Sequence, residues 1–301
     1  MADTQTIFDR RAVRRQRDRA AAGFAGHDFL HREIADRLAD RLRDVRRGFA
    51  TVVNLGGGQT DPIPGAELTV NTNLSAGLLR AADRRPGDAS VAADEEFLPF
   101  ADGSLDLVAS CLALHWVNDL PGALIQVRRA LKPDGLFIGA MLGGDTLIEL
   151  RRALVEAEFE TTGGSSPRTS PVADGADAGA LLQRAGFALP VVDTDTITAT
   201  YDDIFALMRD LRGMGEANAV VTRSRRFLRR DTLLAAAERY RALYAGPDGR
   251  IPATFQIIWM TGWAPHEGQQ KSLRPGSAAT RLADALDTTE KKTGDKAAPS
   301  S

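Results

Sequence analysis

The apolar positions of the chain follow two periods, and segments with one period alternate with segments of the other. Short apolar runs bounded by Gly, Pro, Asn or Asp predict buried strands at 50–55, 68–70, 90–93, 105–110 and 136–142. Two further strands are predicted at 189–200 and, from its mix of β-branched and aromatic residues, at 253–263. Apolar residues three and four positions apart predict helices at 31–47, 75–82, 121–131, 146–159, 177–185, 202–213 and 231–244. A turn is predicted at 131–135, where proline cannot continue a helix. Because strands alternating with helices pair in parallel, the pattern predicts an α/β fold with a doubly wound, mostly parallel, seven-stranded sheet.

The same pattern divides the chain into parts. Residues 1–48 predict a basic helical segment, and 49–265 predict the domain that holds the sheet. Within it, 202–250 is longer than one connection requires, and we expect it to form a helical cap over the crevice at the carboxyl ends of the strands. Residues 266–301 have no periodic apolar pattern, and we expect a disordered tail there.

The charged residues are unevenly distributed. The net charge is −2, which gives no overall attraction for nucleic acid, yet there are 33 Arg against 5 Lys. Twelve Arg and eight acidic residues lie within 1–47, and a second group of arginines follows later in the chain: Arg223, Arg225, Arg226, Arg229 and Arg230. Solvated helix faces and a docking surface for an acidic protein partner both remain open.

The sequence also bears on the compartment. No apolar run approaches the roughly 18 residues of a membrane-spanning helix, and the charged N-terminus lacks the apolar segment of a secretory signal. Cys111 is the single cysteine, which excludes an intrachain disulfide and fits a reducing compartment. We therefore expect a bacterial-type cytoplasm and no integral membrane segment.

Candidate chemistry begins at the ends of the first two strands. The first strand leads through Asn54 into Gly56, Gly57 and Gly58, where the lack of a Cβ lets the backbone bend sharply and approach a ligand. Such a turn is equally compatible with a structural role. The second strand ends at Asn73, whose amide can hydrogen-bond a diol.

The next two strands end beside further polar residues. Asp94 and Glu95 follow the third strand, where a carboxylate can accept a hydrogen bond from an adenine amino group while Phe97 packs on the ring; a solvated acidic turn is the alternative. His115 follows the fourth strand, where it can meet a substrate or pack without a catalytic role.

Several of these motifs carry a resemblance to known families. Four of them resemble class I S-adenosylmethionine-dependent methyltransferases of Rossmann-like fold: NLGGG at 54–58, DEEFLPF at 94–100, LDLV at 105–108 and LKPDG at 131–135. Longer strings resemble the family of respiratory complex I assembly factors with arginine-hydroxylase activity: DEEFLPF, LHWVNDLP at 114–121, GAMLGGDTL at 139–147, GMGE at 213–216 and PATFQ at 252–256. The resemblance spans about residues 30–265, and that family is similar to the malonyl-carrier-protein methyltransferases of biotin synthesis.

The resemblance implies a cofactor, a substrate and candidate site residues. It implies S-adenosylmethionine, bound by Asn54, Gly56, Gly57, Gly58, Asn73, Asp94, Glu95 and Phe97. It also implies a protein substrate, a complex I subunit modified at arginine, which would bring the protein to the periphery of the inner membrane during assembly. From their positions, His115, Asp145 and Glu216 are candidate catalytic residues, and no metal site is expected.

Departures from the methyltransferase pattern keep two further functions open. Asn54 stands where an acid is usual, Thr60 where the glycine loop normally closes, and an asparagine where an acid binds the ribose. Pro62 and Pro64 leave no room for the helix that normally follows the glycines. These departures predict weak or lost cofactor binding. The alternatives to an arginine-modifying enzyme are therefore a carrier-protein or small-molecule O-methyltransferase and a non-catalytic assembly chaperone with a degenerate cofactor site.

Overall fold

The computed structural model describes residues 6–57, 63, 65–82, 87–170, 175–270 and 280–289. The chain divides into two units, Met1–His266 and Glu267–Ser301. The described residues of the second unit include a four-residue helix, Leu282–Ala285. Because most of 266–301 lies outside the described residues, disorder of this tail stays a prediction. All further structural statements concern the first unit.

The first unit is built on a seven-stranded sheet, as predicted. Its strands are β1 Thr51–Leu55, β2 Leu68–Asn73, β3 Asp88–Ala92, β4 Leu105–Cys111, β5 Leu131–Leu142, β6 Ala188–Tyr201 and β7 Ile251–Trp263. They lie in the order β3-β2-β1-β4-β5-β7-β6. The pairs among β1 to β5 are parallel, whereas β7 is antiparallel to both β5 and β6. This arrangement confirms the doubly wound, mostly parallel sheet.

Helices cover both faces of this sheet. They are α1 Arg10–Ala20, α2 Phe29–Arg43, α3 Ala76–Ala81, α4 Leu120–Ala130, α5 Ile148–Thr162, α6 Gly175–Arg184, α7 Ile204–Gly213 and α8 Arg230–Tyr244. One face packs apolar side chains of α2, α5, α7 and α8 against the strands, and the other packs those of α4 and α6. Each helix buries one apolar stripe, which is why its periodicity can be read from the sequence.

The predicted turn at 131–135 is part of a strand. The helix α4 ends at Ala130, and β5 begins at the next residue rather than at 136. Pairing with β4 shifts between Leu105 and Leu107, so the residues after Leu131 form a bulge. The positive φ of this bulge falls on Asp134, at 61°, and not on the glycine that follows it.

Strand direction determines where a site can form. The carboxyl ends of β1 to β5 lie at one edge of the sheet. Because β6 is parallel to these strands and β7 is antiparallel, the segment 202–250 both leaves and re-enters the sheet at that edge. The chain before α1 reaches the same region, where Phe8 forms a β-bridge with Val220.

Candidate active site

Two asparagines at the ends of β1 and β2 are held by neighbouring protein groups. The Asn54 side-chain NH₂ donates to Oδ1 of Asn71 at 2.9 Å, while the Asn54 Oδ1 is buried without a partner among the described residues. Asn73 donates to the carbonyl of Gly56 at 3.1 Å and accepts from the Ser75 N–H at 2.8 Å. The Asn73 amide, which the sequence predicts to hold a ribose, therefore links β1 to the start of α3.

The two described glycines let the end of β1 pack closely. Gly56 has a φ of +74°, and a Cβ there would lie 2.5 Å from the Cβ of Ala113. A Cβ on Gly57 would lie 2.6 Å from the Cβ of Asn54. Gly58, Thr60, Pro62 and Pro64 lie outside the described residues, so the predicted lack of a helix after this turn stays a prediction.

The acidic residues after β3 bind arginines of α1. Arg10 Nη2 lies 2.6 Å from Oδ1 of Asp94 and also bonds Glu95, and Arg17 Nη1 lies 3.1 Å from the second oxygen of Glu95. The side chains of Arg17 and Glu95 are 4% and 1% exposed. Phe97, by contrast, is 75% exposed. In this conformation both Glu95 oxygens are bound by α1, and Phe97 faces solvent.

Little space remains at the strand ends. The cavity there has a volume of about 10 Å³ and is lined by Arg17, Phe24, His31, Gly56, Gly57, Asn73, Leu78, Leu112, Met214 and Glu216. That is room for about one water molecule. A cavity of this size, with Arg17 of α1 in its wall, is too small for S-adenosylmethionine in this conformation. The predicted weakness or loss of cofactor binding stays a prediction.

A larger cavity lies under the segment that follows β6. It encloses about 210 Å³, and most of its wall is apolar, with Leu150, Leu211 and Phe255 among the lining residues. Polar side chains line other parts of it: His115, Trp116, Thr146, Arg168, Arg212 and Glu216. Met214 and Glu216 line both this cavity and the small one at the strand ends. Glu216 therefore stands between the two spaces.

His115 and Glu216 form a buried pair at this boundary. The His115 Nε2 lies 2.9 Å from Oε2 of Glu216, and the two side chains are 4% and 5% exposed. Trp116 Nε1 donates to the same oxygen at 3.0 Å. Burial alone raises the pKa of Glu216, but the field and hydrogen bond of His115, with the charge of Arg17, outweigh it and hold that pKa below its usual value.

Local structure places each partner of this pair. Residues Leu114–Trp116 form a single 3₁₀ turn after β4, which puts His115 just beyond the sheet edge. Glu216 follows the end of α7, where Gly215 adopts a φ of +79°. Glycine adopts this conformation without steric strain. The chain can therefore turn back toward β4 directly before Glu216.

Of the three candidate catalytic residues, the structure brings two together. His115 and Glu216 are 101 residues apart in sequence and hydrogen-bonded in the fold. Asp145 is exposed, accepts a hydrogen bond from Gln256 at 3.2 Å, and does not line the larger cavity. Trp116 and Arg17 were not among the predicted site residues. Their only sequence signals are adjacency to His115 and membership of the N-terminal arginine cluster.

The remaining histidines of the N-terminal segment lie in different surroundings. His27 Nδ1 is 2.6 Å from Oδ1 of Asp210, at the surface side of α7. His31 is buried, packs edge-on against Phe24 and has an Nδ1 with no described partner. In the part of the chain that the structure describes, no group of three or more His, Cys, Asp or Glu side chains is arranged to hold a metal ion.

The sheet order and the position of the site at the carboxyl ends of the strands define a protein of the methyltransferase fold. A family model described as a methyltransferase domain matches residues 55–139. Among solved structures, the fold is similar to the YcgJ protein of Bacillus subtilis, with a TM-score of 0.52 and 14% identity over 77% of this chain and 98% of that one. It is also similar to a Haemonchus contortus phosphoethanolamine N-methyltransferase bound to S-adenosyl-L-methionine, with a TM-score of 0.51 and 12% identity over 84% and 60%.

Curated relatives identify the family more narrowly. The chain is 45% identical to the mitochondrial arginine-hydroxylase NDUFAF5 of Danio rerio, over 92% of this chain and 89% of that protein. It is also 45% identical to the human protein of the same name, over 93% and 84%. A malonyl-[acyl-carrier protein] O-methyltransferase of Laribacter hongkongensis is 36% identical over 89% and 94%. The chain belongs to the family of the arginine-hydroxylase NDUFAF5.

No helix in the described residues combines the length and the apolar composition needed to cross a bilayer.

Proposed function

We propose that this protein modifies an arginine side chain of a protein substrate, hydroxylating it as its relatives' name states, and that the substrate is a subunit of respiratory complex I. The observation that carries the proposal is the buried His115–Glu216 pair beside an apolar cavity. We further propose that the protein works from a bacterial-type cytoplasm, at the periphery of the inner membrane during assembly.

The size and lining of the larger cavity suit one long side chain. Its volume of about 210 Å³ is below the roughly 300–1,000 Å³ of pockets that hold drug-sized ligands. The methylene stem of an arginine would pack against Leu150, Leu211 and Phe255, which line it. A guanidinium at the end of that stem needs a carboxylate, because burying an unpaired charge is costly.

Glu216 can supply that carboxylate. Its Oε2 accepts hydrogen bonds from both His115 and Trp116, whereas its Oε1 accepts none from the described residues. The lowered pKa of Glu216 keeps the group ionised at neutral pH. Oε1 would therefore receive an N–H of the substrate guanidinium in a charge-assisted hydrogen bond.

His115 positions Glu216 for this guanidinium. Because the Glu216 carboxylate can only accept, Nε2 of His115 donates to it, and the second ring nitrogen, Nδ1, is buried and has no partner in the described part of the chain. The ring is thus held in one orientation by a carboxylate. The role we propose for His115 is to hold Glu216 through Nε2, so that Oε1 is left for the substrate guanidinium. The hydroxylation itself needs an oxygen-donating oxidant of the dioxygen or peroxide class, which the residues of this chain do not supply.

The test is mass spectrometry of complex I subunits from a deletion strain complemented with variants. We expect the wild-type gene to restore one arginine that carries an added oxygen atom. We expect His115→Asn and Glu216→Gln each to slow the modification by about 100-fold, which lowers the modified fraction when the protein is expressed at a limiting level. Asp145→Asn, which changes an exposed carboxylate outside the cavity, should behave as wild type. If the arginine carries a methyl group instead of an oxygen atom, the reaction is methylation and not hydroxylation. If the spectra of the deletion strain and the wild type are the same, the enzymatic function is eliminated.

A non-catalytic assembly chaperone is the second candidate, and the closed crevice at the strand ends favours it. For Glu95 to bind S-adenosylmethionine, as the resemblance implies, α1 would have to release this carboxylate, which both Arg10 and Arg17 hold. Calorimetric titration of the protein with S-adenosylmethionine tests this candidate: measurable binding eliminates it. Biotin auxotrophy of the deletion strain would instead favour the carrier-protein O-methyltransferase alternative.

A further inference from the structure

A basic surface opens beside the apolar cavity of about 210 Å³. A third cavity, of about 660 Å³ and open to solvent, lies there, and Asp9 and five arginines line it: Arg15, Arg168, Arg212, Arg223 and Arg225. We call these residues the arginine surface. They come from α1, α7 and two loops, so tertiary structure collects them from distant parts of the sequence.

Three of these arginines form no ion pair among the described residues, although the charge of Arg15 acts on Asp9 from a longer distance. Arg168 pairs with Glu158, and Arg223 lies 3.2 Å from Asp9. Within the described ranges, no carboxylate lies within 4 Å of Arg15, Arg212 or Arg225. The whole chain has a net charge of −2, so this concentration of positive charge is local. Like charges held together repel one another unless an anion neutralises them.

The arginine surface is continuous with the proposed substrate cavity. Arg168, Arg212 and Asn218 line both spaces. At the edge of the surface stands Phe227, whose side chain is 99% exposed. An exposed aromatic beside arginines is typical of the residues that anchor protein interfaces.

The charge at the entrance restricts which substrate segments can enter the cavity. A substrate arginine is a cation, and three arginines without an ion-pair partner at the entrance would repel it. Carboxylates flanking that arginine would reverse the sign of the interaction, because each could pair with one of the free guanidiniums. A nucleic acid is less suited, since the chain is net acidic and the adjoining cavity admits only a single side chain.

We infer that the arginine surface docks an acidic segment of the substrate protein, whose Asp and Glu residues flank the arginine that enters the cavity. The inference rests on the proposed function in naming the partner as the substrate. Phe227 would pack against an apolar residue of the same segment.

Fluorescence anisotropy with labelled peptides tests the inference on the full-length protein. One peptide carries a central Arg flanked by Asp and Glu, and a second carries Asn and Gln at the same positions. We expect the acidic peptide to bind at least roughly tenfold more tightly in low salt, and the difference to shrink as salt is raised. Equal binding of the two peptides overturns the inference, as does tighter binding of a labelled single-stranded RNA than of the acidic peptide.

A double variant locates the binding on this surface. Arg15→Ala with Arg225→Ala should weaken the acidic peptide roughly tenfold and leave the amide peptide unchanged, because two exposed ion pairs are lost. Arg241→Ala with Arg209→Ala, which removes two exposed charges that do not line this cavity, is the matched control. Circular dichroism verifies that both variants are folded. Equal affinities of the two double variants for the acidic peptide overturn the inference. Because this assay measures binding and not turnover, its outcome does not depend on whether the protein modifies arginine.

Discussion

Protonation of His31 should destabilise the folded protein in mild acid. Burial lowers the pKa of His31 to about 4, and the charges of Arg17 and His115 add to this effect, whereas Glu216 opposes it. In the unfolded chain the same side chain has its ordinary pKa of about 6.5. Between pH 4 and pH 6.5, His31 therefore binds a proton in the unfolded state but not in the folded state. His31 thus leaves the free energy of unfolding unchanged well above pH 6.5 and lowers it as the pH falls from 6.5 toward 4.

The size of the effect follows from the two pKa values. At pH 7.5 both states are almost entirely unprotonated at His31, so the group contributes close to zero. At pH 5 the unfolded state is mostly protonated and the folded state mostly neutral. This difference corresponds to a loss of about 2 kcal/mol in the free energy of unfolding. A loss of that size is a large fraction of the stability of an ordinary domain.

Urea unfolding at pH 7.5 and pH 5 measures this loss directly. His31→Gln removes the titrating group while keeping a polar side chain, so the variant should lose about 2 kcal/mol less than wild type between the two pH values. The same pH dependence in His31→Gln and wild type would refute the reasoning.

Two further substitutions test the packing at the strand ends. Glu95→Gln should lower the free energy of unfolding by about 3–5 kcal/mol, because it leaves the buried guanidinium of Arg17 without its carboxylate. Asp102→Asn, which breaks an exposed pair, should cost less than about 1 kcal/mol in the same urea titration, and equal costs would contradict the burial argument. Gly56→Ala should lower the thermal midpoint by more than Gly103→Ala does. Both glycines have positive φ, but only at Gly56 would the new Cβ meet a neighbouring atom, at 2.5 Å, so equal midpoints would argue against the close contact.

The sheet could be predicted because its signals are local. The central strands β1 and β4 are short apolar runs with turn residues near their ends, and the crossover helices carry their own apolar stripes. The start of β5 could not be predicted in this way. Its first residues form a bulge whose strand character depends on pairing with β4, and Pro133 and Gly135 indicate only a turn.

The candidate site could be predicted residue by residue, but its contacts could not. His115 and Glu216 were each expected at the site, yet their hydrogen bond depends on how the end of α7 packs above β4. The acids after β3 were expected to face an adenine, and in the structure α1 supplies arginines to them from 78 and 84 residues away. Ion pairs at such separations leave no periodic signal in a sequence.

The reversed direction of β7 has a consequence for how this architecture can diversify. Both ends of the segment between β6 and β7 are anchored on the same rim, so its exposed positions can change while the buried faces of α7 and α8 and the strand order are kept. Exchanging the exposed residues of 202–250 between homologues should therefore alter what the protein recognises and leave the scaffold intact. A family with this layout can acquire new targets by substitutions within a single segment of the chain.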